Sequence, residues 1–347
     1  MASTPTGSGA STIEEVARRA GVSRSTVSRV LNGVATVDPR MRRAVDEAVR
    51  ATGYVPNLAA RSLVTRRTDS VALVISEPAT GSAGAEFLQR IFSDPYFGRV
   101  TAGAQQVLQA VGVHLVVVPA DRDAHDFVLS YLRQGHVDGV LFLSGGDEAG
   151  LPTALSAMNV PLVLSHQPRT SLAVSWVDAD QTIGGRLAAE HLARTGRRRC
   201  AVLAGPAEVA AARDRLAGFR AAADEAGMTV VVEEGDFSAR SGTRAARAVL
   251  EQHPDVDAVF AANDLVADAA VRVLLDAGRR VPDDVAVIGF DDSAAAREST
   301  PALTTVRQPV EDMAGEMARL LLDRIRTPAQ PPRGVMFTPT LVVRETA

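Results

Sequence analysis

Eight short apolar runs punctuate this sequence from residue 70 onward: "VALVIS", "VHLVVV", "GVLFLS", "PLVLS", "CAVLAG", "TVVVE", "DAVFAAN" and "VAVIGFDD". They are continuous in Val, Ile and Leu rather than alternating with polar residues, and helical stretches separate them. Strands buried on both faces need such runs, and helix-covered parallel sheets supply that burial. The rhythm is therefore a repeated βαβ pattern, and two sets of strands predict two doubly wound lobes. A chain of 347 residues with 46% hydrophobic composition is long enough for them and for a further small unit. Ligands in such folds sit at the carboxyl ends of the strands, so the polar residues closing each run are the ones to inspect.

Charge sets the first 68 residues apart. They hold eleven arginines against five acids, a net of +6, whereas residues 69–347 carry −10. A basic module on an acidic body suits a part that binds a polyanion joined to a part that stays off it; a solvated basic face is the plainer alternative. Lysine is absent throughout, which reads as composition bias, so arginine identity by itself carries no weight. The punctuation of the module is more specific. In "TIEE", Thr12 is a helix N-cap with Glu15 reaching back, and Gly21 ends that helix. Ser23 can cap a second helix from Arg24 to about Leu31, and Asp38 with Pro39 opens a third that ends near Gly53. Val22, Val27, Val30 and Leu31 form one apolar stripe, and Arg24, Ser25 and Arg29 face elsewhere. Three short helices with a tight glycine turn read as helix-turn-helix, whose second helix sets its N-terminal residues on base edges in the major groove.

Other classes find little support. The sequence has no H-E-x-x-H, no G-x-S-x-G and no Cys/His cluster, and without lysine a Walker A loop is impossible. No catalytic residue and no cofactor are expected. Histidines 114, 125, 136, 166, 191 and 253 are scattered one per segment, which argues against a metal site. Cys200, alone and in an apolar run, reads as a buried core residue. The start "MASTPTGSGAST" lacks a basic start and an apolar core, and no run approaches a membrane span; a cytoplasmic protein without membrane contact is expected. A solute-binding protein on the same two-lobed body is the rival from another class.

"TIEEVARRAGVSRSTVSRVLNG", followed in order and spacing by "GYVPNLAARSL", resembles the headpiece and hinge of LacI/GalR-type bacterial transcription regulators, and the remainder resembles the ligand-binding body of that family. The resemblance implies an N-terminal all-α helix-turn-helix headpiece plus an α/β two-lobed, periplasmic-binding-protein-like effector domain. It implies a homodimer on palindromic double-stranded operator DNA, controlled by a small effector, a sugar or alternatively a purine-type corepressor. A tetramer is not expected, because no heptad-bearing tail follows "TLVVRETA". Arg24 and Ser25 would choose bases and Arg29 would make a more general contact; an arginine fork suits guanine O6 and N7. Thr12, Ser23, Thr26, Ser28 and Asn32 are assigned to the DNA backbone or the headpiece framework. "PNLAARSL" alone is a short Ala-rich helix or a plain linker; the resemblance makes it a hinge helix in the minor groove, with Asn57, Ala60 and a wedging Leu63. The expected units are a disordered tail at 1–10, the headpiece at 11–56, and the hinge and linker at 57–68. A first lobe at 69–174 with 308–330 and a second at 175–307 with 331–347 complete the chain.

For the effector, the matching positions are Arg213, Phe237, Asn263 and Asp291, with Tyr96 and Phe97 covering the ligand from the first lobe or lying in its core. Arginine and carboxylate can hold neighbouring hydroxyls or a purine edge while an aromatic face covers the ring. Asp264 and Asp292 stand as ligand contacts or as helix caps. In "PLVLSHQP", His166 takes the place where many sugar-responsive relatives carry an aspartate, as a titratable cleft group or as a surface residue.

Overall fold

The computed structural model describes residues 11–31, 34, 36–55, 67–76, 84–144 and 150–347. The tail at 1–10, Asn32 and the hinge candidates Asn57, Ala60 and Leu63 lie outside the described residues. The chain divides into two compact units, Met1–Thr68 and Asp69–Ala347.

In the first unit the expected helices form as α1 (Ile13–Ala20), α2 (Arg24–Leu31) and α3 (Pro39–Thr52). Thr12 caps α1 by accepting from the Glu15 amide, and Gly21 ends it at φ +65°, a conformation that costs glycine nothing. The reciprocal half of the capping box differs: the Glu15 carboxylate accepts from the Ser11 hydroxyl at 3.3 Å. Ser23 caps α2 through the Thr26 amide at 3.1 Å, and Asp38 caps α3. Val16, Val27, Val30 and Val45 close a small core among the three helices, leaving Arg24, Ser25 and Arg29 exposed.

The second unit carries two six-stranded sheets. In chain order the first lobe begins with β1 (Ser70–Ser76), α4 (Gly84–Ser93), α5 (Pro95–Gln109), β2 (His114–Ala120), α6 (His125–Arg133), β3 (Gly139–Ser144), α7 (Leu151–Ala157), β4 (Leu162–Leu164) and β5 (Ser175–Ala179). The second lobe runs through α8 (Gln181–Arg194), β6 (Arg199–Ala204), α9 (Ala210–Glu225), β7 (Thr229–Glu234), α10 (Ala239–Gln252), β8 (Ala258–Ala261) and α11 (Asp264–Asp276). It ends with β9 (Ala286–Phe290), α12 (Ala294–Glu298) and β10 (Thr304–Arg307). Then α13 (Val310–Arg326) and β11 (Gly334–Phe337) return to the first lobe, and β12 (Thr340–Val342) to the second. Sheet orders are β11-β5-β4-β3-β1-β2 and β12-β10-β9-β8-β6-β7, parallel except that β12 runs antiparallel to β10.

The lobe boundaries shift from those expected. Residues 175–179 and 334–337 are neighbouring strands of the first sheet, Val335 beside Val177, so the first lobe takes both. The chain thus crosses between lobes three times, after Ala179, between Arg307 and Val310, and between Phe337 and Thr340. Each sheet is covered on both faces. In the first lobe α13 and α5 bury Leu321 and Leu108 on one side, while α6 and α7 bury Leu132 and Leu155 on the other.

Candidate functional site

The carboxyl ends of the strands of both lobes face one another across a cleft of about 1360 Å³. From the first lobe come Asp94, Tyr96, Phe97, His166 and Asp178; from the second come Arg215, Phe237, Asn263 and Asp291. The strand-end rule thereby gathers residues nearly 200 positions apart.

Arg215 is the central cation. It is 5% exposed and lies on the buried stripe of α9 that also holds Ala212, Gly218 and Phe219. Its guanidinium stacks 3.5 Å from the centre of the Phe290 ring, donates to the Ala262 carbonyl, and through Nε donates to Gln181 Oε1 at 3.0 Å. Gln181 in turn donates to Gln308 Oε1 at 3.3 Å, and Gln308 donates to Asp291 Oδ1 at 2.5 Å. Two amides at two of the three crossovers therefore join the arginine to the carboxylate. Burial pushes the Asp291 carboxyl above its ordinary value, against the pull of Arg215 and the Gln308 hydrogen bond. Asp291 has φ +100°, and its carbonyl accepts from Arg99 of the opposite lobe at 2.7 Å.

Arg213, the expected partner of Asp291, is elsewhere. It is exposed and donates to the carbonyls of Ala207 and Glu208, both at 2.9 Å. Two residues along a helix is more than half a turn, so only one of the two arginines can face the cleft. Asn263 lines the cleft and also caps a helix: its side-chain oxygen accepts from the Val266 amide at the start of α11 while its amide donates to the Phe237 carbonyl at 3.0 Å. Phe237, at φ +67°, lays its ring over Gly205, where a Cβ would collide with it. Tyr96 and Phe97 meet edge to face, lining the cleft and packing on the first-lobe core at once. His166 lines the cleft, half-buried.

Asp264 and Asp292 neither line the cleft nor cap helices. Asp264 accepts from the Ser293 amide at 2.7 Å and the Thr305 hydroxyl at 2.6 Å; burial raises its carboxyl to about 7. Asp292 is held by Arg307 at 2.7 Å and Arg344 at 2.5 Å, and the side chains bonded to it lower its carboxyl against the effect of burial. Asp94 and Asp178, not singled out from the sequence, are both raised to about 6 by burial and present acceptors to the cleft. Arg169 pairs with Asp214 across the mouth. Among the described residues no group of His, Cys, Asp and Glu could hold a metal ion, and no helix is long and apolar enough to cross a membrane.

On the headpiece, Arg24 sits at the start of α2 within 3.2 Å of Glu14, and Arg29 donates to Thr36 Oγ1 at 2.9 Å. Ser25 joins Ser23 and Thr26 in a hydroxyl cluster at the N-cap, with oxygens 2.8 and 2.9 Å apart. Thr26 and Ser28 are half-buried beside them. The outer face of α2 thus carries a set of hydrogen-bond donors.

Comparison with known proteins fixes the lineage. Residues 12–57 match the model of bacterial regulatory proteins of the lacI family, and residues 189–347 match the periplasmic binding protein-like domain. The HTH-type transcriptional regulator CelR of Thermobifida fusca is 45% identical over 340 residues, 96% of this chain and 97% of that protein. The chain belongs to the LacI family of bacterial transcriptional regulators. It is a regulator and not an enzyme. This LacI-family chain also resembles a solved CelR–cellobiose complex, with 43% identity, a TM-score of 0.74 and coverage of 97% of this chain and 100% of that one. The lac repressor dimer bound to operator and an anti-inducer matches at TM-score 0.84 and 26% identity, covering 97% and 99% of the two chains.

Proposed function

We propose that this LacI-family regulator is a cytoplasmic repressor that binds a palindromic operator as a dimer and is controlled by a disaccharide of the cellobiose class in the interlobe cleft. The carrying observation is the Arg215–Gln181–Gln308–Asp291 chain, which presents fixed donors and acceptors to a neutral polyhydroxyl ligand and runs through two crossovers. Carboxylates of Asp94, Asp178 and Asp291 accept from hydroxyls, the guanidinium donates to them, and Tyr96 and Phe237 supply ring faces. The cleft of about 1360 Å³ exceeds the roughly 300–1,000 Å³ of ordinary small-ligand pockets, leaving room for more than one sugar ring. The CelR–cellobiose complex supports the same class. A ligand touching both lobes prefers one lobe arrangement, and that preference is what it can transmit to the DNA-binding part.

Calorimetry on the full chain with cellobiose, ribose and hypoxanthine tests the reading. Cellobiose should bind, and Arg215→Ala or Asp291→Asn should weaken it about tenfold or more, since each removes hydrogen bonds to a charged group. Binding of hypoxanthine with no binding of cellobiose would replace the sugar by a purine corepressor. We further propose that Leu63 wedges the central operator step; Leu63→Ala should then reduce DNA bending in a circular-permutation gel while leaving cellobiose binding intact.

A further inference from the structure

Arg24 opens α2 at the end where the helix dipole is positive, and the first turn of that helix contains no acid. A cation there is disfavoured unless an anion from elsewhere answers it. Glu14 does so: it lies in the first turn of α1, where the dipole favours an acid, and its carboxylate sits 3.2 Å from Arg24 Nη1. Both side chains are largely exposed, 59% and 72%. A pair so open to water contributes little to folding, so its consequence lies in where the guanidinium points and in what else it can pair with.

We propose that Glu14 is a positioning residue for DNA reading: it holds one edge of the Arg24 guanidinium, aims the other at a single base pair, and discourages that arginine from pairing with phosphates. The inference rests on the reading that Arg24 contacts a base. A guanidinium has five donors, and a guanine edge uses two, so one edge can stay on a carboxylate while the other fork meets O6 and N7. Away from a matching site the same carboxylate competes with phosphate oxygens and repels the backbone, which lowers sequence-independent affinity. Ser23, Ser25 and Thr26 fix the neighbouring hydroxyls through their own cluster, so Arg24 is the adjustable group at this helix end.

The test takes the full-length protein and variants Glu14→Gln, Arg24→Ala and the double variant through rounds of selection from a random 20-base-pair duplex pool, followed by sequencing. Binding to one fixed duplex of arbitrary sequence is then titrated over a salt series. Arg24→Ala should erase the preference at one symmetric base pair. Glu14→Gln should select the same site with discrimination at that pair reduced about threefold or more. Its affinity for the arbitrary duplex should rise by a similar factor, with a salt dependence steeper by about one phosphate contact per protomer. Adding Glu14→Gln to Arg24→Ala should leave base preference unchanged. Glu14→Gln indistinguishable from the parent in both readouts, while Arg24→Ala loses its base, would overturn the role of Glu14 alone. Arg24→Ala keeping every preference would overturn the underlying reading and the proposal with it. Thermal unfolding of each variant, unchanged for Glu14→Gln, separates these effects from loss of fold.

Discussion

Arg213 and Arg215 differ in what they can do although two residues separate them. Arg215→Ala removes a stacked, buried cation, strands Gln181 and the Ala262 carbonyl, and leaves Asp291 without its main counter-charge. Cellobiose affinity should fall by about tenfold or more and the melting temperature should drop, because a buried network with one charged member removed is costly. Arg213→Ala should change neither beyond about twofold, since surface substitutions away from such networks are nearly neutral; calorimetry and melting on both variants decide it. The sequence held a signal for this distinction. Ala212, Arg215, Gly218, Phe219 and Ala222 form one stripe at helical spacing, and an arginine in register with a buried stripe has to be satisfied inside. Asn263 and Asp291 each close an apolar run and Phe237 lies just beyond a strand, and all three are legible from those places together with the family resemblance; Asp94 and Asp178 owe their raised carboxyls to burial.

At the scale of elements, α8 and α9 cross without room for a methyl group. A Cβ on Gly185 would enter the backbone of Arg215 and Phe219, and one on Gly218 would enter the backbone of Thr182. Gly218→Ala should cost roughly 1–3 kcal/mol of stability through overpacking. Because the displaced turn carries Arg215, cellobiose affinity should fall as well. Gly315→Ala, whose Cβ would meet Val107 at 3.4 Å, should cost far less. Denaturant titration beside calorimetry separates the two; equal losses would mean that the α8–α9 crossing relaxes freely. The headpiece helices and most strands were readable from caps, glycines and apolar runs. Strand β5 was not: "SWVDA" alternates between buried and half-buried positions, as its burial shows, and gives no continuous run. Missing it, together with β11, displaced the lobe boundary.

The whole molecule should be more stable in mild acid than in mild alkali. Asp94 and Asp178 at about 6 and Asp264 at about 7 stay protonated in the folded chain where the unfolded chain has released its protons, near pH 3.9. Between roughly pH 4 and 7 the folded state thus binds more protons through them, and stability falls as pH rises through that window. Burial of His191 lowers its pKa and opposes them over part of it; Asp236, Asp292 and Glu311, all lowered, withdraw their support only below about pH 4. The melting temperature should therefore peak near pH 4, and Asp264→Asn should flatten the decline towards pH 8, as a fluorescence melt across pH would record. A peak at pH 8 would mean that these carboxylates are ionised in the folded protein.

The triple crossing has a temporal side. A ribosome delivers the headpiece once residue 53 has emerged, yet neither sheet of the body is complete until residues 334–342 arrive, because β11 borders β5 and β12 borders β10. A nascent chain of 330 residues leaves β5 and β10 as bare edges that the finished chain covers with β11 and β12, edges of the kind that invite association with other chains. The portion that reads DNA is thus made hundreds of residues before the portion that answers to a ligand can close, and both lobes reach completion in a single late step.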